Sequence, residues 1–303
     1  MIGVSAQMQR LYSLVHQAGT YAYPVLISGE KGTGKTLAAQ TIHSLGQRKE
    51  KAFVVADFSK LAPTLAESEL FGYERGAFSG VSQTQWGLLA FAREGTILLK
   101  EVGELPLHVQ TRFIEMLRAK EFKPIASIHP IPFKARILAT TSRDLQADVE
   151  RGTFRQELLL RLNTTQISLP PLRERKEDIP LLIDYFLEKY EGADQSKTQF
   201  SAAAIQYLCA QEWPGNVAEL ESRVREAISS RSGSVIDVGD LKLAPEPSDD
   251  QRWAADLTSC LDDRERHAIV QALRDSQGDK SAAARLLGIA ESALQKRLQY
   301  FDL

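Results

Sequence analysis

Cysteine is almost absent from this 303-residue chain, which carries only Cys209 and Cys260. They lie far apart without metal-ligand spacing, so a disulfide framework is excluded and a reducing interior is the expected setting. Long hydrophobic runs are missing too. No apolar stretch approaches the roughly 18 residues a membrane span needs, so no membrane partner is expected. Met1-Ile2-Gly3-Val4 leads into an amphipathic stretch and not into a secretion signal, so a cytoplasmic location is expected. Neither sign of charge dominates: 37 Lys and Arg against 39 Asp and Glu leave a net charge of −2. Any nucleic-acid-binding surface must therefore be a local basic patch. The length allows two or three domains, and 43% hydrophobic with 25% charged residues is ordinary for a globular protein.

What is present begins with Gly29-Glu30-Lys31-Gly32-Thr33-Gly34-Lys35-Thr36. The apolar run Val25-Leu26-Ile27 precedes it and the helix-forming Leu37–Ile42 follows. Strand, glycine-rich turn and helix are the context in which a P-loop match carries weight. The glycines let backbone amides close around phosphates, and the new helix adds its positive dipole end. Lys35 supplies a point charge to the β- and γ-phosphates, and Thr36 offers its hydroxyl to Mg²⁺. The expected cofactors are ATP and Mg²⁺.

Five apolar runs read as buried parallel strands: 24–28, 53–56, 96–99, 135–140 and 166–169. Helical patterns such as 107–117 and 144–151 lie between them. This alternation predicts an α/β fold with a parallel sheet covered on both faces, spanning residues 1–172. From 173 to 243 the pattern is helical only, over 181–190, 201–210 and 217–230, which predicts a helical lid subdomain. Residues 244–260 read as a polar, proline-containing linker. Residues 261–303 read as short helices around Gly288, the helix-turn-helix pattern of a small all-α DNA-binding domain. In it Ser292, Gln295 and Lys296 fall where base edges are read, and Lys280, Ser281 and Arg285 suit phosphate contacts. Arg297 adds to the basic set.

A second nucleotide motif is expected as an apolar strand ending in acid. Gly95–Glu101 fits, with Lys100 where an aspartate of the Mg²⁺ shell is usual. Glu101 is the candidate to orient and deprotonate the attacking water and to support the metal. Lys100 opposes Mg²⁺ and is expected to pair with Glu101 or with phosphate.

These stretches, with Glu67–Gly72, Gly76–Val81, Gly103–Leu107, Phe154–Leu158, Arg161–Asn163, Leu169–Arg175 and Trp213–Val217, resemble the AAA+ domain of bacterial enhancer-binding proteins. Those proteins activate RNA polymerase carrying sigma-54. The C-terminal block is similar to their Fis-type DNA-binding domain. The resemblance implies self-association from dimer to hexamer, with nucleotide between subunits. It implies that Arg155 and Arg161, on one helix, reach the neighbour's γ-phosphate, where a guanidinium fork stabilises transferring charge. It makes Ser142 a polar sensor and places Ile2 and Gly3 on the adenine side. It makes Gly76, Ala77, Phe78, Ser79, Gly80 and Val81 the loop that touches sigma-54.

The chain departs from the family at Lys100, at Ser79 and Val81 in that loop, and at Ala218, where a lid arginine is usual. It opens directly on the AAA+ domain, so regulation by a separate protein partner, or by a segment outside this sequence, is expected. Two readings stand. One is a DNA-binding regulator at upstream enhancer-like sites that binds ATP and remodels sigma-54 polymerase. The alternative is a non-hydrolysing, nucleotide-responsive DNA-binding regulator, acting on other polymerase forms or partnering an intact paralogue.

Overall fold

A computed structural model describes residues 1–78, 83–191, 198–231 and 233–241, together with Ser276 and Lys280. The chain divides into two units, Met1–Lys242 and Leu243–Leu303. In the first, five parallel strands form the central sheet: β1 (Val25–Ser28), β2 (Phe53–Asp57), β3 (Thr96–Lys100), β4 (Arg136–Thr141) and β5 (Thr165–Ser168). Their order is β2-β3-β4-β1-β5. The five expected strands are all present, shifted by a residue or so at their ends.

The sheet has a core on each face, and strand alternation divides the apolar residues between them. Leu26, Ile97, Leu99, Ile137 and Ala139 pack on one side with Phe113 and Leu158. Val25, Ile27, Leu98, Leu138 and Ile167 pack on the other with Leu11, Val15 and Ile42. Burial on both faces is why these strands read as continuous apolar runs. Helix α1 (Ala6–Thr20) and helix α2 (Lys35–Leu45) cover the second face. Helix α3 (Leu107–Ala119) and helix α4 (Gln156–Leu162) cover the first.

The lid holds α5 (Ile179–Glu191), α6 (Ala202–Ala210) and α7 (Asn216–Ser230). The lid was expected to be purely helical, but it also contains a short parallel pair, Gln199–Phe200 with Val235–Ile236. Two-residue strands are too short to show a period in sequence. In the second unit Lys280 is helical and exposed. Ser281, Arg285, Ser292, Gln295, Lys296 and Arg297 lie outside the described residues, as do Ser79, Gly80 and Val81. Among the described residues no helix is long and apolar enough to cross a membrane.

Candidate functional site: a P-loop cavity closed by the lid

An open parallel sheet receives ligands at the carboxyl ends of its strands, and the chain leaves β1 there as Gly29–Thr36. Gly29, Gly32 and Gly34 have φ of +146°, +79° and +104°, values that glycine adopts without steric cost. Gly34 caps α2, so the helix begins with its free amides at the loop. Lys35 is buried. Its Nζ donates to the Gly29 carbonyl at 2.6 Å and the Glu30 carbonyl at 3.0 Å, and pairs with Glu101 Oε1 at 3.3 Å. Burial, the strongest influence, lowers the Lys35 pKa. Glu101 opposes this, and the charges of Lys100 and Lys31 push it further down.

Glu101 follows β3 in the left-handed region, φ +55°, a conformation a non-glycine residue holds only when its surroundings impose it. The restraint is visible. Glu101 Oε2 accepts from both the amide and the hydroxyl of Ser142, each at 2.8 Å, and the Glu101 amide donates to Thr140 Oγ1 at 3.3 Å. The expected sensor residue thus holds the expected catalytic carboxylate.

Lys100 does not pair with Glu101. Successive strand residues point to opposite faces, and Glu101 also turns out of the strand. Lys100 instead reaches Asp57, its register partner on β2, with Nζ 2.6 Å from Oδ2. Burial pushes the Asp57 pKa up, but hydrogen bonds from Lys100 and Ser59 outweigh it and hold the carboxyl below its usual range. Sequence reasoning missed Asp57. The available signal was an acid closing the strand that neighbours β3.

The lid meets the P-loop directly. Arg173 makes a two-pronged contact with Glu30, 2.6 and 2.8 Å. Asn216 Nδ2 donates to Glu30 Oε2 and to the Lys31 carbonyl, and the Ala218 amide donates to the Gly32 carbonyl. Arg173, followed by Asn216, depresses the Glu30 pKa to about 2. The Glu30 side chain therefore serves the lid contact. Thr33 faces the same way, its carbonyl accepting from the buried Arg175 at 3.1 Å.

Between the sheet end and the lid lies a cavity of about 1030 Å³, lined by Lys31, Gly32, Gly34, Lys35, Thr36, Lys100 and Glu101 from the sheet side. Leu182, Tyr185 and Phe186 of α5 and Val217 and Ala218 of α7 line the opposite side. Ile2 lines it too, whereas Gly3 packs against Asp178. Asp178 holds this N-terminal segment by accepting from the Val4 and Ser5 amides and the Ser5 hydroxyl. A polar, lysine-rich end beside an apolar end fits a phosphorylated, flat-ringed ligand.

Arg155 and Arg161 lie away from this cavity. Arg155 is not in the helix with Arg161. It caps α4 in extended conformation, is exposed, and donates from Nε to the Leu107 carbonyl at 3.4 Å. Arg161, within α4, pairs with Glu157 at 2.9 Å. Phe78 follows Gly76 (φ +83°) on the loop between the paired strands Gly72–Tyr73 and Gln85–Trp86. It is 50% exposed, with its ring edge-on to Tyr73 at 6.0 Å.

The order β2-β3-β4-β1-β5, the P-loop, the acid after β3 and the helical lid define a nucleotide-binding AAA+ module. Comparison with known proteins specifies it further. Residues 1–168 match the Sigma-54 interaction domain, 173–256 the AAA+ ATPase lid domain, and 261–301 the Bacterial regulatory protein, Fis family. Regulatory protein AtoC of Escherichia coli K12 is 38% identical over 294 residues, covering 92% of this chain and 62% of AtoC. Transcriptional regulatory protein ZraR of the same strain is 36% identical over 299 residues, covering 98% and 68%. Nitrogen fixation protein AnfA of Azotobacter vinelandii is 37% identical over 308 residues, covering 100% and 57%. The chain thus spans roughly three fifths to two thirds of the length of these relatives. Crystal structures of NtrX from Brucella abortus superpose with TM-score 0.74 at 26–27% identity, covering the whole chain and 69–70% of NtrX. Two of them are complexes with ATP and with ADP. The chain belongs to the sigma-54 interaction domain family, in its arrangement with an AAA+ lid and a Fis-type helix-turn-helix.

Magnesium is the cation this family implies, and the donors here fit it poorly. Mg²⁺ favours octahedral oxygen coordination with one or two carboxylates besides phosphate and water. Of the carboxylates near the P-loop, Glu101 is taken up by Lys35 and Ser142, and Asp57 by Lys100. Thr36 contributes only a hydroxyl. Among the described residues no group of three or more His, Cys, Asp or Glu is arranged to hold a metal ion.

Proposed function

We propose that this chain is an ATP-binding transcription regulator that acts in the cytoplasm on sigma-54 RNA polymerase from DNA sites bound by its C-terminal domain. One observation carries the reading: a single cavity is walled by the P-loop with Lys35 and Glu101 and by a lid that hydrogen-bonds that loop. A bound triphosphate touches both walls, so nucleotide occupancy can be converted into lid position. In this reading the chain self-associates, from dimer to hexamer, and Arg155 and Arg161 act on a neighbour's nucleotide. The exposed Phe78 loop, through Ser79, Gly80 and Val81, presses on sigma-54. Lys280, Ser281 and Arg285 contact DNA phosphates, Arg297 adds basic charge, and Ser292, Gln295 and Lys296 read base edges. A separate protein partner regulates it.

A second reading is favoured by the Lys100–Asp57 pair, which puts a cation where the family places a metal ligand. There the chain holds ATP without turning it over and serves as a nucleotide-responsive regulator beside an intact paralogue or on another polymerase form. Capture of sigma-54 by the full chain in the presence of ATP separates the two. Under the first reading a complex forms, Lys35→Ala loses ATP and the complex together, and Phe78→Ala loses the complex while keeping ATP and DNA binding. Absence of a complex from an ATP-occupied sample selects the second. Unchanged ATP affinity in Lys35→Ala removes the nucleotide site from both.

A further inference from the structure

The residue that displaces the metal ligand brings its own counter-ion. Asp57 and Lys100 are register partners at the ends of two adjacent strands, 2.6 Å apart at their charged tips, and Lys100 faces the cavity that Lys35, Thr36 and Glu101 line. A pair this accessible, 30% exposed on Lys100 and 18% on Asp57, adds only about 0–1 kcal/mol to stability. Its effect is positional. A lysine stem sweeps a wide volume when free, and Asp57 confines its ammonium to the wall beside Lys35. Ser59 in turn holds Asp57, donating its hydroxyl to Oδ1 at 2.6 Å and its amide at 3.3 Å. The ammonium is thus fixed by an ordered chain of contacts at the wall of the cavity that Lys35 and Thr36 also line.

The electrostatic balance in this cavity is set on the sheet side by Lys31, Lys35, Lys60 and Lys100 against Glu101, since Asp57 is spent on Lys100 and the lid carboxylate Glu221 is spent on Lys189. A divalent cation entering there meets four ammonium groups, and the carboxylates around it, Glu101, Asp57 and Glu221, are each already paired with a lysine. Metal-free nucleotide carries more negative charge than its Mg²⁺ complex and is attracted more strongly by the same set. We propose that this chain binds nucleoside triphosphate without a divalent cation, the Asp57-tethered ammonium of Lys100 supplying the positive charge that Mg²⁺ supplies elsewhere in the family. The proposal rests on the nucleotide-site reading above and deepens it. It makes the site a sensor of nucleotide, with metal availability removed as a condition.

The test is titration of a fluorescent ATP analogue into the full chain, once in excess MgCl₂ and once in EDTA. The native affinity in EDTA is expected to equal that in Mg²⁺ within about threefold, or to exceed it. Lys100→Asp is expected to restore metal dependence, with EDTA weakening binding at least about tenfold. Lys100→Met keeps the stem and loses the charge, and guards against a fold defect in the acidic variant. Its affinity in EDTA is expected to fall about tenfold, with a thermal melt confirming the fold. Native binding that weakens tenfold or more in EDTA overturns the proposal and leaves the nucleotide site standing. Unchanged EDTA affinity in Lys100→Met overturns it as well. Failure to bind under either condition removes the nucleotide site itself, and this proposal with it.

Discussion

The carboxylate of Glu30, inside the P-loop, is gripped by the guanidinium of Arg173, at the start of the lid, through two hydrogen bonds of 2.6 and 2.8 Å. This contact gives the loop–lid junction a pH dependence. The Glu30 pKa is lowered to about 2 in the folded chain, chiefly by Arg173 and then Asn216. A depressed carboxylate pKa contributes stability that is complete above the unfolded value and is lost as pH falls toward the folded one. The window therefore runs from about 4.5 down to about 2. The pair is substantially exposed, so its contribution is at most about 1 kcal/mol. Denaturant melts across that window should lose this increment in the native chain. The Glu30-linked part of the slope should shrink in Arg173→Ala to the smaller share that Asn216 supports.

Asn216 is the more costly residue to remove. It is fully buried with φ +55°. Its Oδ1 accepts from the Leu172 amide at 2.8 Å, and its Nδ2 serves Glu30 and Lys31. Asn216→Ala leaves a buried amide without its acceptor, at about 1–3 kcal/mol, and puts alanine in a left-handed conformation asparagine tolerates better. The expected loss is about 2–4 kcal/mol in urea denaturation. A loss under 1 kcal/mol shows that the lid junction tolerates the gap.

The sheet was legible because its strands are buried on both faces, and the P-loop because its glycines and flanks sit in one continuous segment. What sequence spacing did not show were pairings between distant segments. Asp57 and Lys100 lie 43 positions apart and meet only because β2 and β3 are neighbours. Glu30 meets Arg173 and Asn216 across 143 and 186 positions. Lys100 stood out as a departure, but its partner depends on strand order, and its sequence neighbour Glu101 was the wrong candidate. Arg155 was assigned to a helix it only caps, a boundary error of one residue.

Turnover should respond to the same pair. With Mg²⁺, steady-state ATP hydrolysis by the native chain is expected to be slow, and Lys100→Asp should raise it. That variant leaves Asp57 facing a new carboxylate, and like charges directly opposite on a sheet repel. Lys100→Asp with Asp57→Asn should therefore exceed Lys100→Asp alone. Ala218→Arg, which adds a guanidinium to the lid wall of the cavity, should raise turnover again. A gain of tenfold or more over native, about 1.4 kcal/mol of barrier, is expected for the triple combination. Brisk native turnover that Lys100→Asp reduces assigns Lys100 a positive catalytic role instead.

Two glycines of the same loop should behave differently when replaced, because only one touches the lid. Both hold positive φ, Gly32 at +79° and Gly34 at +104°, so alanine is strained at either, by about 1–3 kcal/mol. At Gly32 an added Cβ falls 2.0 Å from the Gly215 carbonyl oxygen, while at Gly34 nothing lies within 4 Å. Backbone cannot yield as a side chain tip does, so Gly32→Ala must displace the lid from the loop. That breaks the Ala218–Gly32 hydrogen bond and strains the Asn216 contacts. Measured without nucleotide, Gly32→Ala should destabilise the chain by at least 1 kcal/mol more than Gly34→Ala, and should open the junction to proteolysis near residue 215. Equal melting of the two variants, with equal protease resistance, contradicts a lid seated on the P-loop in solution.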